Sequence, residues 1–200
     1  MSLIECVLFN DITLSFYFIF KSKLIQQTWL NPIKNDRAVL QVSDNDWTIN
    51  AIGLHWLKTF DLHTRIHTQD THWLLVLNGH KSHVFSDFIQ YCCDHSIVAL
   101  CLSSHSTHLL QSLNVEVFEP LSKAYKKCVH LHSHYEAVNV NKLDFLHYYQ
   151  KAKSTAITTQ NVLSAWWAAG LISYNSFIVT SKLPWLKTSF YAFFTNFNRV

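Results

Sequence analysis

Apolar positions along this chain recur with period two in some stretches and with helical spacing in others, and they change register several times. Residues 3–10 (LIECVLFN) and 13–20 (TLSFYFIF) are short runs rich in β-branched and aromatic residues, and they read as a hairpin joined near Asn10-Asp11. Residues 38–43 (AVLQVS) read as a third strand, and Asp44-Asn45-Asp46 as the turn after it. From Thr48 or Asn50, either able to cap, a helix runs to residue 63, with Ile52, Trp56, Leu57 and Phe60 on one face. Residues 73–78 (WLLVLN) are apolar on both faces, which predicts a buried parallel strand. A helix over 84–94 follows, with Phe85, Phe88, Ile89 and Cys92 as its stripe, and then a strand over 97–102. Helices are predicted over 113–131, 141–153 and 159–170, whereas the aromatic-rich segment from about 175 onward has no clear period. A strand–helix–strand–helix unit after an antiparallel hairpin predicts an α/β sheet of mixed direction.

Composition narrows this only a little. The 200 residues are 49% hydrophobic with seven Trp, eight Tyr and fourteen Phe, enough for one domain with a sizeable core and not a disordered chain. Net charge is +3, compatible with a nucleic-acid partner without requiring one. Thirteen His add positive charge below about pH 6.5. The five Cys follow no disulfide spacing, so reduced, intracellular thiols are expected. The opening MSLIECVLFNDI lacks the basic start of a secretory signal, and LSFYFIF is too short to span a bilayer. Gly and Pro, three each, are scarce for an α/β domain that must turn often.

The chemistry-bearing residues concentrate between 74 and 115. Leu-Leu-Val-Leu leads to Asn78-Gly79-His80 and His83, and Leu-Cys-Leu leads to His105-Ser106-Thr107-His108-Leu109-Leu110-Gln111 and Asn114. His80-x-x-His83 and His105-x-x-His108, with Cys92-Cys93 between them, also have a spacing that zinc ligands use. Lys123, Lys126 and Lys127 share one predicted helix and form either a phosphate-contacting stripe or an ordinary solvated face. Trp166-Trp167 fits a helix core better than a base-stacking platform. No nucleophile elbow surrounds any Ser, which argues against a Ser hydrolase.

These residues resemble the core of the DDE superfamily endonuclease domain of pogo/Tigger-type transposases, whose motifs run roughly LLLDGHxSH … LCxPPHSxHLLQPLDVGVF. Jerky-like proteins and centromere protein B belong to the same family. The resemblance covers residues 4–170 and implies an RNase H-like mixed sheet flanked by helices. On that basis residues 1–172 form a truncated endonuclease-like domain and 173–200 an aromatic-rich tail. It also implies phosphodiester chemistry with two divalent cations held by three acids. Asn78 and Asn114 stand where two of those catalytic acids would be, and the first acid, with its strand, would precede the segment matched by Ile4-Glu5-Cys6-Val7. The resemblance puts His80, His83, His105 and His108 on active-site loops, with no zinc role or other metal site.

Two divalent cations about 4 Å apart need charged oxygen ligands, because unit charges at that distance interact by about 4 kcal/mol even at an effective dielectric of 20. Amides do not supply that charge. Of the acids elsewhere, Asp44, Asp46, Asp70, Asp87, Asp94, Glu116 and Glu119, none replaces the lost set. The resemblance therefore implies a catalytically inactive relative with Mg²⁺ or Mn²⁺ as cofactor only if activity is retained. It would bind DNA weakly and non-specifically through His80, His83, His105, His108, Lys123, Lys126 and Lys127. The expected localisation is nuclear, away from the membrane. Alternatives are pairing with related transposase copies as a protein–protein module, or a non-functional pseudogene product. Departures from the family pattern include Ser103-Ser104 for a Pro pair, Ser112 for Pro, and Asp46 and Glu116 for Gly. Like the two Asp-to-Asn changes, each can arise by transition. A transition-biased genome defence would thus explain the missing Gly and Pro, and transversions at these codons in the coding DNA would refute it.

Overall fold

The computed structural model describes residues 1–9, 14–33, 38–45, 47–67, 72–103, 105–133 and 140–183. The hairpin joint at Asn10-Asp11, Asp46, Asp70, Ser104 and residues 184–200 of the aromatic-rich tail lie outside them. Strand β1 (Ser2–Ile4) pairs antiparallel with β2 (Phe16–Lys21), as the hairpin reading predicts, although residues 5–9 lie beyond the strand. β3 (Ala38–Ser43) adds to β2 in parallel. Every residue of β2 from Phe16 to Phe20 is buried, so it is covered on both faces. Tyr17 and Ile19 face one cluster of side chains, while Phe16, Phe18 and Phe20 face another.

The first cluster is closed by helix α1 (Asn50–Thr64) and helix α2 (Ser86–Asp94). The predicted α1 stripe of Ile52, Trp56, Leu57 and Phe60 is buried there. The predicted cap is corrected: Ile49 occupies the N-cap position in extended backbone and makes no side-chain cap, so neither Thr48 nor Asn50 caps α1. In α2, Phe88 and Cys92 are buried, but Ile89 is exposed because the helix offers it no facing element. The second cluster is closed by α4 (Phe118–Ser133) and α5 (Lys142–Ala156), through Leu121, Leu146, Tyr149 and Ala152. α5 begins with a capping box in which the Asn141 side chain accepts from the backbone of Asp144 and the Asp144 carboxylate accepts from the Asn141 N–H. α6 (Thr159–Ala168) and a short α7 (Ser176–Thr180) complete the described chain.

Strands β4 (Trp73–Leu77) and β5 (Ile97–Cys101) pair in parallel, as predicted, but as a separate two-stranded sheet. Full burial of β4 is corrected: Leu75 and Leu77 enter the first cluster, while Leu74 is 52% exposed. Val98 and Leu100 of β5 are exposed as well, because α4 and α5 cover β1–β3 and no described element covers this face of β4 and β5. The long helix predicted over 113–131 is present as one continuous run to Ser133, its start wound as a π-turn. A short α3 (Thr107–Leu110) and a π-turn (Leu113–Val117) precede α4, and the π-turn buries Leu113 and Val117 against α6. The fold is mixed α/β with small sheets flanked by helices, compatible with an RNase H-like arrangement.

Candidate functional site

A cavity of about 540 Å³ opens where the two sheets face each other. Residues 2–9 line one side and residues 73–78 the other. Asn78 is the first residue after β4, and its side-chain oxygen accepts from the His80 backbone N–H at 3.3 Å. Asn114 sits on the π-turn, and its amide nitrogen donates to Gln111 Oε1 at 2.8 Å. Asn78, His80, His83, Gln111 and Asn114 all line this cavity, so the fold brings together the two amides and the first His pair.

The His80–His83 loop is pinned against α1. Gly53 lies so close to it that a Cβ there would meet the Ser82 carbonyl oxygen at 2.4 Å, which accounts for a glycine inside a helix. Ser82 is buried and its hydroxyl is 2.7 Å from His80 Nδ1. Burial, then the nearby His80, lowers the His83 pKa from 6.5 to about 4, so this imidazole is neutral at physiological pH. The exposed Trp47 ring lies parallel to His80, with centroids 6.4 Å apart and planes at 5°, at the cavity mouth.

The other predicted residues lie apart from this group. His105 and His108 are exposed on the loop and short helix after β5 and are not among the lining residues. Lys123, Lys126 and Lys127 are exposed on α4, whose first residue, Phe118, does line the cavity. Lys123 pairs with Glu119 at 2.5 Å, both open to solvent, which is worth little. Among the described residues, no three or more His, Cys, Asp or Glu side chains converge as a metal site. Glu116 accepts from Ser164 Oγ at 2.7 Å.

Sequence reasoning missed Glu5, the one carboxylate among the described lining residues. Its side chain is 2% exposed and both oxygens are taken: Tyr149 donates at 2.6 Å, and Lys153 Nζ lies at 2.8 and 2.9 Å. Burial, then the Glu5 charge, raises the Tyr149 pKa, and the same two causes push the Cys6 thiol up to about 12. A lone acid within the apolar run LIECVLF was the available signal. The oxygen donors at the Asn78–Asn114 end are thus neutral amides, and the one carboxylate is already neutralised, so this set does not fit a pair of divalent cations.

Residues 1–166 match the family model described as DDE superfamily endonuclease. Over 151 residues the chain is 35% identical to a Cochliobolus lunatus protein named MFS-type transporter clz9. That match takes in 76% of this chain but only 16% of the relative, so the transporter name describes a protein of which this chain spans about a sixth. Among the described residues, no helix is long and apolar enough to cross a membrane. No solved structure matches.

Proposed function

The chain belongs to the DDE superfamily endonuclease family, and from that premise we propose that it is a pogo/Tigger-like domain that binds nucleic acid without cutting it. The observation that carries this reading is the donor set: two amides in the acid positions, and Glu5 already satisfied by Lys153 and Tyr149. Mg²⁺ or Mn²⁺ would activate the attacking oxygen in an active family member, but this cavity offers no charged oxygen free to hold either ion.

Binding draws on other features of the chain. Lys126 and Lys127 are exposed on α4 to meet phosphates, and Trp47 with His80 offers a separate stacking surface at the cavity. Such binding is weak, independent of sequence and sensitive to salt; DNA in the nucleus is the partner this reading proposes.

The test is an electrophoretic shift of single- and double-stranded DNA over a salt series, run beside plasmid nicking in Mg²⁺ and in Mn²⁺. The expected result is a shift without nicking, with Lys126→Ala plus Lys127→Ala reducing the slope of log affinity against log salt by about 2. Metal-dependent nicking overturns the inactive assignment. A shift unaffected by salt overturns the phosphate-contact assignment.

A further inference from the structure

The two amides of this site differ in reactivity. Asn78 is followed by Gly79, and no other Asn-Gly pair occurs in the 200 residues. Glycine shields its own backbone nitrogen least, because it carries no Cβ. Both residues are exposed, and both lie between the end of β4 and the turn at Lys81–His83, outside any strand or helix.

The local geometry draws the reacting atoms into one turn. Asn78 Oδ1 accepts from the His80 N–H at 3.3 Å, so the side chain is folded forward over the Gly79 peptide. The ring closed by that bond contains both Asn78 Cγ and the Gly79 nitrogen. The same bond withdraws electron density from Cγ and makes it a better electrophile. The strand ladder stops one residue earlier, where the Leu77 carbonyl accepts from the Leu102 N–H at 2.8 Å. Among the described residues, nothing accepts from the Gly79 N–H or from Asn78 Nδ2.

Asn114 has the opposite surroundings. Its Nδ2 donates to Gln111 Oε1 at 2.8 Å, and the next backbone N–H, that of Val115, donates to the Gln111 carbonyl at 3.0 Å. The branched Val115 side chain also crowds that nitrogen.

We propose that Asn78 is a site of spontaneous deamidation, with water as the co-reactant. The Gly79 backbone nitrogen attacks Asn78 Cγ. The N–Cγ bond forms, the Cγ–Nδ2 bond breaks, and Nδ2 leaves as ammonia with the proton that the Gly79 nitrogen gives up. Water then opens the cyclic imide at either carbonyl, and no oxidant or reductant is consumed. Opening at Cγ leaves aspartate in an unbroken main chain. Opening at the Asn78 backbone carbonyl leaves isoaspartate, with the chain routed through the side chain. Either product sets a negative charge at the tip of β4. The aspartate product puts a carboxylate at one of the two positions where the family resemblance expects an acid, while Asn114 remains an amide. This inference uses neither the lysines nor the stacking surface invoked for nucleic acid, and it stands or falls separately.

The experiment ages the full chain in neutral buffer made with heavy-oxygen water, then maps tryptic fragments by mass. Residues 66–81 carry Asn78 as their one Asn, and residues 82–123 carry Asn114 as theirs. A synthetic peptide of residues 66–81 gives the unrestrained rate. The expected result is conversion of Asn78 no more than about tenfold slower than in the free peptide, with one labelled oxygen taken up and Asn114 unchanged. Gly79→Ala should slow the conversion by about tenfold or more. That variant keeps the fold, because the added Cβ would meet Leu102 O at 3.5 Å and Cys101 Sγ at 3.9 Å, ordinary contact distances. Slower conversion than that limit, equal conversion at Asn114, or a rate indifferent to Gly79→Ala overturns the proposal.

Discussion

Replacing Lys153 by Met should destabilise the protein far more than loss of a surface ion pair would. Lys153 is 14% exposed and Glu5 2% exposed, so the substitution strands a buried carboxylate with only the neutral donors Tyr149 Oη and the Cys6 backbone N–H. Breaking a buried pair from one side costs about 3–5 kcal/mol, whereas an exposed pair is worth about 0–1 kcal/mol. The Lys153 ammonium also sits 4.1 Å from the Phe16 ring centroid, a contact that adds to the loss. With a urea m-value of about 2 kcal/mol/M, the midpoint should fall by about 2 M. The double variant Glu5→Gln, Lys153→Met removes both charges, and it should recover a large part of that loss, giving a coupling energy of about 2 kcal/mol. A single-variant cost below about 1 kcal/mol, or simple additivity in the double variant, would refute the claim that this pair anchors the β1 wall to α5.

Three other outcomes follow from the same geometry. The folded-state pKa of His83 is depressed from 6.5 to about 4, so the unfolded chain binds more protons between those values. Stability contributed by neutral His83 is intact above about pH 6.5 and declines by about 3 kcal/mol as pH falls toward 4. Urea melts at pH 7 and pH 4.5 should show this, and His83→Asn should flatten the difference. Asn78→Asp plus Asn114→Asp should raise Mn²⁺ affinity about tenfold or more, read as loss of the free-ion signal in electron paramagnetic resonance; unchanged affinity would mean that the two side chains do not share a site. Gly53→Ala gains about 1 kcal/mol of helix propensity but forces the Ser82 carbonyl away from α1 at a cost of about 1–3 kcal/mol. The net effect should be a lower melting temperature, and a higher one would show that the loop yields freely.

The local elements were legible because their signals are local. β3 spans the predicted residues, β4 and β5 each end one residue short, and the buried face of α1 follows its own apolar spacing. The Asn78–His80–His83 end of the candidate site was legible for the same reason, since one turn after one strand carries all three residues. Other features depend on which elements meet. Leu74 reads as core, yet it is exposed, because burial of a strand's second face depends on what docks there. Lys153 lies 148 residues from Glu5, and no period in either segment announces that they pair. The sequence by itself determined the elements and, through two asparagines, the neutral chemistry at their tips. Only the tertiary structure decided that, among the described residues, β1 and β4 leave unpaired edges around a common cavity, because strand pairing joins backbone groups that every sequence carries alike, and its partners are chosen by packing at long range.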